Sequence, residues 1–220
     1  MEQLMVVKGS IPDIIKNSEG LYLGDLKQYF KIVFNKARNL GNPYHNFRHM
    51  FHVLWLCYQA CNFYKDVLSP REMRNLLIAA MFHDFDHSGR NDHDSEQIKS
   101  AILGLQRHVL EEDAENISYI INLILATEFP YKIPSSHLIL KKQILRDADL
   151  SQVLNVAWIQ HIVFGLAEEW GKAPMEILQM QEGFLNSLQF NTEWAKTMFP
   201  KENIKEKIEE VREILSILEE

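Results

Sequence analysis

The chain has little cysteine, and the two cysteines it has form no recognisable motif. Cys57 and Cys61 are the only cysteines among 220 residues, and they lie four positions apart in a stretch with helical periodicity. This spacing fits neither a C-x-x-C motif nor a disulfide framework. We therefore expect two reduced thiols in a hydrophobic core and a cytoplasmic location.

Excess positive charge and long apolar runs are also missing. The 30 acidic residues outnumber the 23 basic ones and give a net charge of -7, so the molecule as a whole does not attract phosphate backbones. The longest uninterrupted apolar stretch, residues 76–82, is far shorter than the roughly 20 residues of a transmembrane helix. The N-terminus shows no basic-then-apolar signal pattern. We expect no nucleic-acid partner and no membrane partner.

Strand patterns are almost absent as well. Apolar residues recur at three- and four-residue spacing, and no segment alternates for long between apolar and polar residues. The sequence therefore predicts an all-α fold, with one compact multi-helix domain over residues 1–220 because no linker, repeat or low-complexity tract divides it. Helices are predicted over 24–40, 46–67, 70–84, 94–108, 113–128, 136–147, 152–170, 174–190 and 202–218.

Two of these helices carry additional signals. The segment Ser69–Glu72 predicts a helix start, because serine can cap, proline suits the first helical position and glutamate completes a capping box. The last predicted helix has an apolar stripe that either packs on the body of the protein or forms a homodimer. The stripe consists of Ile204, Ile208, Val211, Leu215 and Leu218.

Histidine is the residue type that the chain has in unusual number. Five of its nine histidines lie between residues 45 and 87. His83 and Asp84 directly follow the apolar run 76–82, at the end of a buried helix, where ionisable side chains need a partner. Imidazole and carboxylate groups without thiolates suit zinc, manganese, iron or magnesium. The pattern predicts a divalent metal site.

Other segments can complete such a site. His45 and His49 are four residues apart and would share one face of a helix that begins near His45, so one ring could bind metal while the other transfers a proton. A further carboxylate is needed to close the ligand set. By residue type alone, Asp147 and Asp149 at the end of a later predicted helix both qualify.

Five short segments occur in a recognisable order. They are N-P-Y-H-N-F-R-H at 42–49, A-A-M-F-H-D-F-D-H-S-G at 79–89, L-A-T-E at 125–128, A-D-L-S at 148–151 and Q-E-G-F at 181–184. Together they resemble the HD-domain cyclic nucleotide phosphodiesterases of the mammalian type. The third segment is similar to the family's L-A-T-D, the fourth to its A-D-L-S and the fifth to its Q-x-G-F. This resemblance implies a phosphodiesterase-like helical bundle.

The resemblance also implies roles for individual residues. The ligands of a first metal ion are expected to be His49, His83, Asp84 and Asp149. Asp84 is expected to bridge to a second ion, the pair being zinc with magnesium or manganese. His45 resembles the proton donor and His87 the histidine beside the bridging water, while Glu96 is the candidate for the glutamate that orients the donor. The substrate-binding residues are expected to be Tyr44, Gln152, Gln181 and Phe184, with the late glutamine hydrogen-bonding the purine and the phenylalanine stacking on it.

The reaction implied is hydrolysis of a 3',5'-cyclic purine nucleotide, with cAMP favoured, to the 5'-monophosphate by water that the two ions activate. The alternative is another HD-domain phosphohydrolase, acting on a nucleoside monophosphate, a dinucleotide or a guanosine tetraphosphate. A di-iron oxygenase and a silent binding module are the remaining alternatives. The chain departs from the family pattern at His52, Ser88, Asp92 and Gln152 and is shorter than a typical family catalytic domain.

Overall fold

The chain is built from helices. The computed structural model describes residues 9–90 and 93–219, a range that leaves out Asp92, and within it the backbone forms eleven α-helices and no strand. The all-α prediction is thus confirmed. The helices are α1 Ile11–Lys16, α2 Lys27–Lys36, α3 Phe47–Phe63, α4 Pro70–Phe82, α5 Asp94–His108, α6 Ile117–Ile124, α7 Leu140–Leu150, α8 Gly165–Trp170, α9 Pro174–Ser187, α10 Glu193–Met198 and α11 Lys201–Glu219.

Segments of 3₁₀-helix and π-helix interrupt three of the predicted helices. The 3₁₀ segments are Glu111–Asn116, Leu125–Thr127, Ser135–His137 and Ser151–Leu154, and a π-helix spans Ile159–Phe164. The prediction of one continuous helix over 152–170 is therefore wrong. At the break, Oδ1 of Asn155 accepts a hydrogen bond from the backbone N–H of Ala157 at 2.9 Å, and such a side-chain bond competes with helical pairing.

Helix N-caps confirm the predicted start of α4 and mark two helices that the periodicity of apolar residues did not predict. Ser69 and Glu72 form the predicted capping box at the start of α4, with N···O distances of 3.3 and 3.0 Å. The missed helices α1 and α10 have six residues each, too few to show a period. They are instead marked by the caps Ser10 and Thr192, whose side-chain oxygens accept backbone N–H groups.

The first hydrophobic core surrounds α4. This helix packs against α2, α3, α5, α6 and α7, and its residues 76–82 have no exposed surface. A helix enclosed in this way is apolar all round, which is why its sequence shows an unbroken apolar run. Cys57 and Cys61 lie fully buried in the same core as free thiols, as the sequence predicts.

A second core lies between α8, α9, α11 and the π-helix, with Trp158, Ile177 and Val211 fully buried at its centre. Four members of the α11 stripe belong to this core, so the prediction that the stripe packs on the body of the protein is confirmed. The fifth, Leu218, is exposed.

No single helix among residues 9–90 and 93–219 has the length and apolarity to cross a membrane. One pair of helical segments, Leu140–Leu154 and Ile159–Trp170, meets the length and composition requirement together but is bent by 101°.

Candidate functional site

Four predicted metal ligands meet where three helices begin or end. His49 lies in the first turn of α3, which begins after Asn46, whose Oδ1 accepts the backbone N–H groups of residues 48 and 49. His83 and Asp84 follow the last residue of α4, and Asp149 lies in the last turn of α7. Contacts of α3 and α4 with each other and with α7 bring these side chains together.

His49, His83 and Asp149 each present one atom to a common point, within 4.8 Å of one another, and Oδ2 of Asp84 lies beside the two histidines. Nε2 of His49 lies 3.2 Å from Oδ2 of Asp84 and 3.1 Å from Oδ1 of Asp149. Nε2 of His83 lies 3.3 and 3.6 Å from the same two oxygens and 3.2 Å from Nε2 of His49. The structure thus brings together all four residues that the sequence assigned to the first metal.

These separations fit a divalent cation. Ligands about 2.0–2.2 Å from a common centre, at angles between 90° and 109°, lie about 2.8–3.6 Å from one another. All five separations that involve the two histidine Nε2 atoms fall in this range. Oδ2 of Asp84 is moreover buried and has no hydrogen-bond partner among the described residues. A buried carboxylate oxygen without a partner is costly unless a cation compensates it, so the donor set suits the expected metal.

Nδ1 of each histidine is hydrogen-bonded to an oxygen, which leaves Nε2 available to a metal. Nδ1 of His83 lies 2.8 Å from the backbone oxygen of Ala80, and Nδ1 of His49 lies 2.6 Å from Oε1 of Gln152. Because both partners are oxygen acceptors, each Nδ1 carries the proton and each Nε2 presents its lone pair.

Gln152 therefore has a different place from the one predicted. It is buried, contacts His49 and does not line the cavity where a substrate would bind, so its assignment as a substrate-binding residue is wrong. The physical reason is the 3₁₀ turn Ser151–Leu154, which begins directly after α7 and directs this side chain towards α3.

We expect Gln152→Ala to weaken binding of Zn²⁺ or Mn²⁺ by about 10- to 100-fold, the usual cost of losing an outer-shell partner of a metal-bound histidine. Titration of the metal-free protein with Mn²⁺ measures this. Gln143→Ala, which removes an amide bonded only to backbone oxygens near the start of α7, is the matched control. Equal affinities in the wild type and Gln152→Ala would contradict the positioning role.

Opposite charges dominate the electrostatics of the ligand cluster. Burial by itself lowers the pKa of His49, but Asp149 and Asp84 outweigh it and raise that pKa to about 9. Burial likewise opposes ionisation of Asp149, yet His49 and His83 lower its pKa to about 2. The two carboxylates therefore stay ionised at neutral pH and attract positive charge, from protons or from a metal.

His45, the predicted proton donor, is held by a glutamate that the sequence did not reveal. Its Nδ1 lies 2.7 Å from Oε2 of Glu169 on α8, and Oε1 of Glu169 accepts the backbone N–H groups of Tyr44 and His45 at 2.9 and 2.8 Å. Burial raises the pKa of Glu169, but these hydrogen bonds prevail and lower it. An ionised acceptor at Nδ1 fixes the ring, so the proton available for transfer is the one on Nε2.

The prediction that Glu96 orients His45 is wrong. Glu96 lies on the solvent side of α5, where its side chain is 67% exposed and approaches Lys99 at 3.9 Å. His45 also lies just outside α3, which begins at Phe47, rather than on the helix as its four-residue spacing from His49 suggests. The two rings nevertheless approach to 5.9 Å between centroids.

His87 stacks on His45, with 3.8 Å between ring centroids and 18° between ring planes. Burial, with a smaller contribution from His45, lowers the pKa of His87 to about 4, so this ring is neutral at neutral pH. Its Nδ1 accepts the backbone N–H of Gly89 at 3.0 Å, which leaves the proton on Nε2. His87 can therefore donate a hydrogen bond to water or phosphate in the cavity that it lines.

A cavity of about 330 Å³ opens beside the ligand cluster, at the low end of the range for small-molecule sites. His45, His49, Asp84 and Asp149 lie on its polar side. The apolar side comes mainly from the second core, and the residues there are Leu150, Val153, Ile162, Leu166, Ile177, Met180 and Phe184. The cavity thus lies where the two cores meet.

Three of the four predicted substrate-binding residues line this cavity: Tyr44, Gln181 and Phe184. Gln181 is buried, and its Nε2 donates to the backbone oxygen of Ile177 at 2.9 Å. This bond directs one amide hydrogen away from the cavity and leaves Oε1 as an acceptor. Phe184, one helical turn further along α9, is partly exposed in the same cavity and can present a ring face to a planar ligand.

Comparison with known proteins agrees with this site. Residues 44–113 match the model of the 3'5'-cyclic nucleotide phosphodiesterase family. The chain is 36% identical over 74 residues to the high affinity cGMP-specific 3',5'-cyclic phosphodiesterase 9A of Pan troglodytes, and 34% identical over 74 residues to the enzymes of that name from Mus musculus and Homo sapiens. Each match covers 30% of this chain and 11–12% of the relative.

Over this part the chain is similar to the 3'5'-cyclic nucleotide phosphodiesterases, and the resemblance seen in the sequence motifs is confirmed there. The matched segment contains His45, His49, His83 and Asp84. Three other parts of the site lie outside this segment and reach it through the fold: the predicted ligand Asp149, the partner Glu169 and the residues of α9.

Proposed function

We propose that this protein is a metal-dependent phosphodiesterase that hydrolyses a 3',5'-cyclic purine nucleotide to the 5'-monophosphate. The observation that carries the proposal is a cluster of His49, His83, Asp84 and Asp149 beside a small cavity that is also lined by a separately held histidine, His45. A metal site alone would serve many reactions. The unligated histidine beside it supplies the second requirement of phosphodiester hydrolysis, a proton for the departing oxygen.

The proposed cofactors are two divalent ions, zinc in the site formed by His49, His83, Asp84 and Asp149 and magnesium or manganese beside Asp84. Nitrogen and carboxylate donors together suit zinc, whereas oxygen donors suit magnesium or manganese. When bound, such ions supply an activated water and neutralise phosphate charge. The chain's own contribution is to hold both histidine Nε2 atoms towards the ion through Gln152 and the Ala80 carbonyl.

The proton donor is proposed to be His45. Glu169 fixes its ring from Nδ1, so Nε2 is the position from which a proton reaches the leaving sugar oxygen. His87, neutral and stacked on the other side of the ring, limits rotation of His45 and offers its own Nε2–H to the phosphate or the water.

The purine is proposed to lie between the apolar wall and Phe184, with Gln181 at its polar edge. Oε1 of Gln181 can accept a hydrogen bond from the exocyclic amino group of adenine or from the N–H groups of guanine. The cAMP preference therefore stays a prediction. The three relatives are named as cGMP-specific, which makes cGMP an equally necessary substrate to test.

The decisive experiment is a hydrolysis assay of metal-loaded protein with cAMP and cGMP, with formation of the 5'-monophosphate as the readout. Nucleoside 5'-monophosphates, dinucleotides and guanosine tetraphosphate serve as competing substrates. Turnover of a cyclic purine nucleotide supports the proposal. Exclusive turnover of one of the competing substrates would instead assign the protein to another class of HD-domain phosphohydrolase.

Phe184→Ala is expected to raise KM for the cyclic nucleotide by roughly 5- to 150-fold with unchanged metal content, since loss of an aromatic stacking contact costs about 1–3 kcal/mol. Steady-state kinetics and metal analysis of the same preparation measure both quantities. Phe63→Ala, at an exposed phenylalanine on α3 that does not line the cavity, is the matched control. An unchanged KM in Phe184→Ala would place the purine elsewhere.

A further inference from the structure

Arg90 is the only arginine or lysine that lines the cavity in the part of the chain that the structure describes. Three aspartates line the same cavity: Asp84, Asp94 and Asp149. The guanidinium of Arg90 nevertheless makes no hydrogen bond or ion pair with any described residue, and only its backbone N–H is bonded. Its five N–H donors are therefore available to a ligand.

A short turn after His87 fixes the backbone from which Arg90 extends. Gly89 adopts a φ of 71°, a left-handed conformation that glycine reaches without strain, and its N–H donates to Nδ1 of His87 at 3.0 Å. The backbone N–H of Arg90 donates to Oγ of Ser88 at 3.3 Å. His87 and Arg90, at the two ends of this turn, both line the cavity.

Gln97 on α5 anchors the same turn. Its Oε1 accepts the backbone N–H of Ser88 at 2.8 Å, and its Nε2 donates to Oγ of Ser88 at 2.8 Å. Gln97 is buried, so the turn is tied to a fixed point of the fold. Ser88, one of the residues at which the chain departs from the family pattern, thus serves to hold the base of Arg90 at the cavity.

The charge around the cavity favours a role for Arg90 in binding an anion. Three carboxylates and a net charge of -7 repel an anionic substrate. Arg90 is exposed as well as cavity-lining, so it lies at the edge of the cavity, where it meets a ligand from the side opposite the buried histidines. A guanidinium can donate to two phosphate oxygens at once, which makes phosphate a well-matched partner.

We propose that Arg90 is a substrate-binding residue that donates hydrogen bonds to the phosphate of the nucleotide. The inference rests on the proposed function for the kind of substrate. The guanidinium contacts the phosphate from the edge of the cavity, while the predicted metal ligands and His87 lie further inside. Loss of the guanidinium should weaken binding of phosphate-bearing ligands and leave binding of the purine unchanged.

The test is calorimetric titration of the Mn²⁺-loaded full chain with 5'-AMP and adenosine, and in parallel with 5'-GMP and guanosine. In each pair, the ratio of the two dissociation constants isolates the contribution of the phosphate. The wild type is expected to bind the nucleotide more tightly than the nucleoside. In Arg90→Gln this advantage is expected to fall by about 10- to 100-fold, as for hydrogen bonds to a charged group, with the nucleoside affinity unchanged.

Two further variants separate geometry and net charge from a direct contact. Arg90→Lys keeps the charge but not the planar fork, so its nucleotide affinity is expected to lie between those of the wild type and Arg90→Gln. Arg48→Gln, at an exposed arginine that does not line the cavity, is the matched control. An unchanged ratio of dissociation constants in Arg90→Gln overturns the inference, and so does an equal loss in Arg48→Gln or a wild type that binds nucleotide and nucleoside equally.

This inference and the proposed function fail in different ways. A protein that hydrolyses no cyclic nucleotide, yet loses its preference for the nucleotide over the nucleoside in Arg90→Gln, refutes the proposed function and keeps the role of Arg90. Hydrolysis of a cyclic nucleotide with the same KM and the same ratio of dissociation constants in the wild type and Arg90→Gln refutes the role of Arg90 alone.

Discussion

Asp149→Ala is expected to lose metal binding and turnover together. Oδ1 of Asp149 lies 3.1 Å from Nε2 of His49, and its removal would leave the proposed ion with two imidazoles and the single carboxylate of Asp84. Loss of even an outer-shell partner costs about 10- to 100-fold in affinity, so loss of a ligand should exceed about 100-fold. Metal content after dialysis and the hydrolysis rate measure the two effects.

Asp147→Asn is the informative control, since the residue types alone left Asp147 and Asp149 as alternatives. Asp147 is buried and accepts hydrogen bonds from the backbone N–H groups of Asn191 and Thr192 and from the Thr192 hydroxyl. Its substitution should lower stability but leave metal binding intact. Retention of metal by Asp149→Ala, or loss of metal by Asp147→Asn, would reverse the ligand assignment.

His45→Asn is expected to keep the metal and to reduce kcat by on the order of 100- to 10,000-fold. The ring of His45 contacts Glu169 and His87 and is not one of the predicted ligands, so its loss would remove the proposed proton donor but no ligand. The kinetic constants and metal content of one preparation distinguish these effects. A metal-free His45→Asn protein would show that a ligand has been mistaken for an acid.

Glu169→Gln tests the contact that orients His45. The amide can still accept from Nδ1 of His45, but it carries no negative charge. We expect a smaller fall in kcat than in His45→Asn, with a changed pH–rate profile and an unchanged KM. A rate and pH profile identical to the wild type would limit Glu169 to a structural contact.

Short sequence motifs predict part of the proposed metal site, because two of the expected ligands are neighbours in the sequence. His83 and Asp84 follow one buried helix, and their proximity to each other needs no knowledge of the tertiary fold. Asp149 was chosen over Asp147 only by resemblance to a known A-D-L-S segment, since periodicity treats both as helix-end carboxylates. The structure supplies the physical distinction, because Asp147 is already satisfied by backbone N–H groups of a later loop.

The partners of the histidines could not be predicted in the same way. Glu169 lies 124 residues from His45 along the chain, on a short helix that follows a π-helix. No pattern of neighbouring residues predicts a contact between residues so far apart in sequence. Gln152 was placed near the base because its homologous position suggested it, whereas the 3₁₀ turn after α7 directs its amide to His49. Such contacts depend on how helices dock, which sequence periodicity does not encode.

The hydrogen bond between His45 and Glu169 joins the two hydrophobic cores, since His45 precedes α3 in the first core and Glu169 belongs to α8 in the second. The rate of the proposed reaction should therefore depend on how the two groups of helices are aligned. A substitution beneath α8 that shifts this helix by about 1 Å would move Glu169 relative to His45 and so misdirect the proposed proton donor, an error of a size that can cost about 100-fold in rate. In the proposed reaction, residues far from the phosphate would thus affect the rate at which it is cleaved.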